Sequence, residues 1–563
     1  MDFVNAKEQA GFSVKLWRGE RMCLIGMDVK SPEPDLVGFS IEVQSPGSPQ
    51  FYPLRNRLAF SYDASNPPPE NGYRNYPSLE APFQKFRWVH FPYDPKDGGK
   101  YLYRVTKQHM PQDGKVSPGT SITLDIALDA ESYDGFLDVG FTRNFASSQA
   151  FTDKYGQIAN KIIPAKADDG LGFSKVPGDV YDWLGFEAYE LIKDFLADVL
   201  ADSSSSLDLL AYDLNEPDVV DVLAKLGGRL RAIIDDSGSH KPPGSAESQA
   251  AKRLMASAGK PNVRRLHFVN LQHNKVLIAR RNGTPYKVLF GSTNFSFRGL
   301  YIQANNALVF SAPEVADLFG KVFDQAFTAA GKFASQPIAT KWHLVQLSNK
   351  PALHFCFSPH QDAGLSLTPL ASAIEQATSS VLFSIAFLSQ SGGPTRDAID
   401  RLMEKDVFSY GISDKKGKLQ VKKPDGSVGL VDFVYLSKKA PEPFKSEWAG
   451  GSGVHQHHKF VVTDFSLPTA KVFTGSSNLS PSGEEGNGDN LVMIEDPRVA
   501  TSYAIEAIRV FDHLHFRSAM QEAKKISTLI LAKPTAISKK PAWFEEYYVG
   551  GTQKEKDRLL FSH

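Results

Sequence analysis

Two cysteines, Cys23 and Cys356, are all that 563 residues contain. That is too few for a disulfide scaffold and fits a reducing compartment. No apolar run approaches the ~18 residues of a membrane span. The opening stretch Met1-Asp2-Phe3-Val4-Asn5-Ala6-Lys7-Glu8 carries acids where a secretory leader would be basic. Neither charge is in excess, with 63 Lys plus Arg against 63 Asp plus Glu. No global field therefore draws the chain to nucleic acid or to an anionic membrane, and any such attraction is local. These absences predict a cytoplasmic protein, with secretion by a signal-independent route left open. The length is that of about three or four domains.

What is present is a repeat. His273, Lys275, Gly291, Ser292, Asn294, Ser296 and Asn306 recur as His457, Lys459, Gly475, Ser476, Asn478, Ser480 and Asn490, each later number exceeding the earlier by 184. At a chance identity of roughly 1 in 20 per position, seven polar or glycine matches in one register point to an internal duplication. Val381 to Leu388 echoes Ser206 to Leu214 at an offset of 175, so whole domains are duplicated.

Along the chain, residues 1–165 read as an all-β, sandwich-like region. Ile122, Leu124, Ile126 and Leu128 alternate with Ser121, Thr123, Asp125 and Ala127, and Pro/Gly turns are frequent. Its aromatics Phe83, Phe86, Trp88, Phe91 and Tyr93 are either core or a carbohydrate- or lipid-binding face. From about residue 180 helices alternate with strands: a helix over Ala188 to Leu200, a strand to Leu214, a helix over Asp218 to Leu226 and a strand over Leu230 to Ile234. In the second half Thr368-Pro369 opens a helix to Ala377. The fold class is α/β, with tandem domains over 180–335 and 350–525 forming a pseudo-dimer. A C-terminal tail, 526–563, packs back through Trp543, Tyr547 and Tyr548. Two segments stand outside the repeat. Asp236 to Gly244 is a surface loop. Gly411 to Gly453, which includes Lys415, Lys416, Lys418, Lys422, Lys423, Lys438, Lys439 and Lys445, is either a solvated hairpin or a basic lip for a phosphate-bearing substrate.

Residues two apart on a strand face the same side, so each motif presents an imidazole and an ammonium to one surface, and each following strand ends in Gly-Ser-x-Asn. Face to face, the halves assemble two His, two Lys and two Asn. That inventory suits a phosphodiester: the lysines and amides neutralise non-bridging oxygens, one imidazole attacks phosphorus, and the other protonates the departing alkoxide. A metal cluster of His455, His457, His458 and Asp464 is the alternative, but it leaves His273 and both lysines unexplained.

The doubled HxKxxxxD and GSxN pattern resembles the phospholipase D superfamily. The second copy is complete in His457, Lys459, Asp464 and Asn478, whereas the first has Arg280 where the pattern has Asp. The resemblance implies tandem phospholipase D-like domains and a metal-independent phosphodiester hydrolase working through a phosphohistidine. Its catalytic residues would be His273, Lys275, Asn294, His457, Lys459 and Asn478, supported by Ser292, Asn305, Asp464, Ser476 and Asp489, with no cofactor and no metal. The favoured substrate is a phospholipid headgroup, with transfer to an alcohol alongside hydrolysis. A nucleic-acid phosphodiester and an inactive phosphate-binding module are the alternatives. A monomer with pseudo-two-fold symmetry is expected, compatible with peripheral membrane contact. In the family a carboxylate beyond GSxN holds the far nitrogen of the motif His. Counting 32 residues on from each motif pairs His457 with Asp489 and His273 with Asn305. On that pairing His457 is the general acid and His273 the nucleophile.

Overall fold

The computed structural model describes residues 3–62, 75–92, 99–129, 132–144, 151, 154–156, 158, 161–388, 392–413, 423, 427, 430–432, 456–524 and 529–563. The N-terminal region is all-β, with two four-stranded antiparallel sheets. One joins Val4–Gln9, Phe12–Arg18, Cys23–Val29 and Arg87–His90; the other joins Ser117–Ala127, Lys100–His109, Leu36–Gln44 and Tyr52–Pro53. Ile122, Leu124 and Ile126 are buried while Ser121 and Thr123 are exposed, as a half-buried strand requires. Residues of both sheets meet in one core that includes Phe83 and Phe86, with Trp88 packed against it. Those aromatics are therefore core and form no binding face. Phe91 lies beneath the Arg143 guanidinium, and Tyr93 is outside the described residues.

The repeat folds as two α/β sheets with one strand order. In the first, Asn306–Phe310, Thr284–Gly291, Val276–Arg281, Ser205–Ala211, Leu230–Ile234 and Val263–Arg265 are successive neighbours. In the second, the corresponding strands are Asp489–Glu495, Lys471–Gly475, Lys459–Thr463, Ser380–Ile385, Phe408–Ser413 and Leu430–Asp432. Strand senses agree as well. Ser205–Ala211 runs parallel to Leu230–Ile234 and antiparallel to Val276–Arg281, and Ser380–Ile385 does the same with its neighbours. Leu137–Phe141, inside the stretch expected to be the β region, pairs with Asn306–Phe310 and is the counterpart of Ala352–Ser358 on Asp489–Glu495. Its period-two pattern is the same in either sheet, and only a distant partner assigns it.

Two helices begin earlier than expected. Val180–Ala201 precedes the predicted start at Ala188. Gly364–Gln376 runs through Pro369, which was expected at its start. Pro369 has no N–H for the carbonyl of Leu365, and the indole of Trp342 takes that carbonyl instead, Nε1 to O 2.8 Å. Among the described residues no helix is long and apolar enough to cross a membrane. The C-terminal residues lie on the β region, where Trp543 Nε1 donates to Leu36 O (3.0 Å) and Phe544 enters the core.

Candidate active site

The strands Thr284–Gly291 and Lys471–Gly475 end at positions that only glycine fits. Gly291 has φ +151° and Gly475 φ +148°, and a Cβ would stand 2.4 Å from Asn306 O in the first and 2.3 Å from Asn490 O in the second. Each loop is thereby pressed onto the start of the next strand, where Ser292 Oγ accepts from Asn306 N–H (3.0 Å) and Ser476 Oγ from Asn490 N–H (3.1 Å). Ser296 and Ser480 cap the short helices that follow, accepting from Gly299 and Gly483 N–H.

The histidines are not inside their strands, as the i, i+2 reading had them. They lie in extended segments just before them, because their N–H groups pair with the other half. His273 N–H donates to Gly488 O (2.9 Å) and His457 N–H to Ala304 O (3.2 Å). Residues 304 and 488 are themselves a repeat pair, so the exchange is two-fold. Each lysine folds back on its own motif, Lys459 Nζ donating to His457 O (2.7 Å) and Lys275 Nζ to His273 O. All four groups are buried. Each imidazole lies within electrostatic reach of both Lys275 and Lys459. The side-chain oxygens of Asn294 and Asn478, a further repeat pair, have no hydrogen-bond partner among the described residues.

The far nitrogens are held across the interface, which reverses the pairing counted along the chain. His273 Nδ1 meets Asp489 Oδ1 at 2.8 Å. His457 Nδ1 meets Asn305 Oδ1 at 2.8 Å and Ser292 O at 3.1 Å. Asn305 Nδ2 donates to Gly299 O (2.8 Å), so its oxygen faces the imidazole. Facing only acceptors, both Nδ1 atoms carry their proton, and each neutral ring keeps its lone pair on Nε2. Burial lowers the pKa of both rings. At His273 the Asp489 carboxylate opposes that fall, while at His457 the two lysines and His273 deepen it. Burial also brings the Lys275 ammonium down to about 8.

The family described as "Cardiolipin synthase, PLD-like domain" matches residues 196–327 and 370–511, the two halves that supply these groups. The chain belongs to the phospholipase D superfamily. Membership supports a function of the phosphodiesterase or phosphotransferase type. No curated protein matches the chain. Among solved structures, it is similar to phosphatidylserine synthase from Haemophilus influenzae Rd KW20, at 13% identity over 66% of this chain and 93% of that one (TM-score 0.39). It is similar to Nuc, a phospholipase D family member from Salmonella typhimurium, at 22% identity over 24% and 86% (TM-score 0.20). Polyphosphate kinase from Porphyromonas gingivalis matches at 11% identity over 60% of this chain and 48% of its own (TM-score 0.39).

Within this superfamily pattern the Asp464 position is remote from the imidazoles. Its Oδ1 accepts from Ser379 N–H at 2.7 Å and from Thr378 and Ser380 N–H at 3.1 Å each, pinning the entry to strand Ser380–Ile385. The Arg280 that replaces it in the first copy pairs with Asp208 and Asp324. At the entry to Ser205–Ala211, Asp202 accepts instead from Ser204 N–H (2.9 Å). The departure thus exchanges one structural anchor for another. The metal alternative is not assembled: Asp464 is occupied as described, His458 pairs with Glu506 (3.0 Å), and His455 lies outside the described residues. Most of Gly411 to Gly453 is also outside them. Its Lys423 is no basic lip, being buried and donating to Val407 O and Ser409 Oγ. The residues sequence reasoning missed include Thr142 and Ser358, whose hydroxyls accept from Asn305 N–H (3.0 Å) and Asp489 N–H (3.2 Å). They are equivalent in the fold but not at the 184 offset, so the repeat does not reveal them.

Proposed function

We propose that the protein cleaves phosphodiesters through a phosphohistidine on His273, with a phospholipid headgroup as the preferred substrate. The observation that carries this is the reciprocal exchange at the interface, which sets two Nε2 lone pairs and two ammonium groups together in a buried site. His273 Nε2 bonds to phosphorus as the ester P–O bond breaks, and the leaving oxygen takes a proton from His457 Nε2. The phosphorylated ring is cationic, and the carboxylate of Asp489 on its Nδ1–H stabilises it, which an amide does less well. His457 acquires its proton when the anionic substrate binds beside it, since a nearby negative charge favours imidazolium. Water, or an alcohol in transfer, then gives a proton to His457 and displaces the imidazole. The lysines supply the cationic field, so no step needs a metal. His273 keeps the nucleophile's role, but the reason is the opposite of the one counted along the chain: the carboxylate serves the covalent intermediate, not the acid.

Balanced net charge and a family description that names cardiolipin synthase favour lipid over nucleic acid. The test is side-by-side incubation, in EDTA, with mixed phospholipid vesicles and with single- and double-stranded DNA, followed by acid quench and mapping of phosphorylated residues. Headgroup release with phosphate on His273 is expected. Phosphate on His457 overturns the assignment, release from DNA alone overturns the substrate, and no turnover of any diester leaves a phosphate-binding module.

A further inference from the structure

The loop Asp236 to Gly244 is at the surface, as expected, with Gly238, Ser239 and Lys241 to Gly244 exposed, but it buries one histidine. His240 is 7% exposed. Its Nδ1 stands 2.8 Å from Asp235 Oδ2, and its Nε2 stands 3.2 Å from Asp213 Oδ1 and 3.9 Å from Glu247 Oε2. Asp213 and Asp235 follow the ends of the parallel strands Ser205–Ala211 and Leu230–Ile234, and Glu247 is in the first turn of helix Ala246–Ala258. Three carboxylates thus surround one imidazole. The neighbouring Arg265 spends its hydrogen bonds on Ser248 Oγ and on the backbone carbonyls of Asp235 and His240, not on the acids. Arg265 and Lys275 are within electrostatic reach of these acids, and Asp235 accepts from Ser237 N–H and Oγ–H and from Gln272 N–H.

We propose that Asp213, His240 and Glu247 bind one divalent transition cation, zinc or manganese. One atom from each residue lies within 4.8 Å of the others. Bonds of about 2.0–2.2 Å require only a short inward movement to close such a set. Asp235 on the Nδ1–H of His240 fixes the ring so that Nε2 faces the ion, an arrangement that metal-bound imidazoles commonly use. Asp213, the half-buried member, leaves a side for water. Among the described residues the second half has no such group: at the 175 offset of the paired strands, Asp213 corresponds to Leu388, a core residue. The ion would tie two strand ends to a helix start. It would also steady Asp235, whose Oδ1 accepts from the N–H of Gln272 (2.7 Å), next to His273. The ring of Tyr212 lies between the cluster and the motif histidine, 4.6 Å from His240 and 4.9 Å from His273, while Asp213 and Asp235 are within electrostatic reach of Lys275.

The experiment strips the full-length protein with EDTA, returns it to metal-free buffer and titrates it calorimetrically with ZnCl2 and with MnCl2, alongside thermal scans. One ion per chain is expected, with a higher Tm on loading. Asp213→Asn and Glu247→Gln, which keep side-chain shape, should weaken binding by at least about 100-fold, and Asp235→Asn by about 10–100-fold. His457→Ala should bind as wild type does. The proposal is overturned if neither metal binds saturably, if Glu247→Gln and Asp213→Asn bind undiminished, or if His457→Ala abolishes binding, which would place the ion on the motif histidines.

Discussion

Each motif histidine has its Nδ1 occupied from the other half, and the two occupants differ by a charge: Asp489 for His273, Asn305 for His457. If His457 is the acid, its loss matters only when the leaving oxygen needs a proton. His457→Ala should therefore lose about 10²–10⁴-fold on an alkyl diester yet retain turnover of bis-p-nitrophenyl phosphate, whereas His273→Ala should be inactive on both. Equal loss on both substrates would refute the assignment. The pH dependence follows from the two groups beneath the site. His273 has a pKa lowered from 6.5, so its lone pair stays free at neutral pH and the acid limb it causes should lie below pH 6.5. Lys275 loses its charge near pH 8, so an alkaline limb is expected there. Lys275→Arg stays cationic at this pH and should remove that limb, whatever it does to the maximum rate. A limb at pH 8 that survives in Lys275→Arg would show that another group causes it.

At the scale of elements, the site depends on two loops that turn at a glycine. Gly475→Ala places a methyl against the carbonyl of Asn490 at a positive φ, and it should cost at least about 2 kcal/mol. Gly331, whose Cβ position is open, serves as control, and Gly331→Ala should fall within about 0.5 kcal/mol of wild type. Thermal scans of both variants decide this, and a Gly475→Ala protein as stable as the control would remove the steric argument. Local patterning was legible for the strand Leu230–Ile234, predicted at its observed bounds, and for the helix Pro217–Lys225, predicted one residue late. It failed at Gly364–Gln376, where Pro369 looked like a helix start. Trp342, distant along the chain, satisfies the carbonyl that the proline abandons, and no window around the proline contains that information.

At the scale of the whole molecule, the C-terminal helix Gln553–Ser562 lies between the β region and the second half. Phe561 O accepts from Trp17 Nε1 (2.8 Å), and Gln553 Oε1 accepts from Ser409 N–H (3.0 Å). Buried Arg87, from the β region, pairs with Asp557 of this helix and with Asp512. Asp557→Ala leaves that guanidinium with one acid fewer and should destabilise the protein by about 3 kcal/mol, seen as a lower Tm, while an unchanged Tm would show the pair to be dispensable. Sequence alone determined the duplication, the two HxK and GSxN sets and the all-β texture of the N-terminal region, because repeats, motif spacing and period-two alternation are properties of short stretches. Tertiary structure decided which half holds which histidine. Counting 32 residues along the chain assumed that each half supports its own imidazole. The interface crosses the two supports, so that the one carboxylate falls to His273, and Leu137–Phe141 joins the first α/β sheet by pairing with Asn306–Phe310. Both outcomes depend on contacts between residues far apart in the chain.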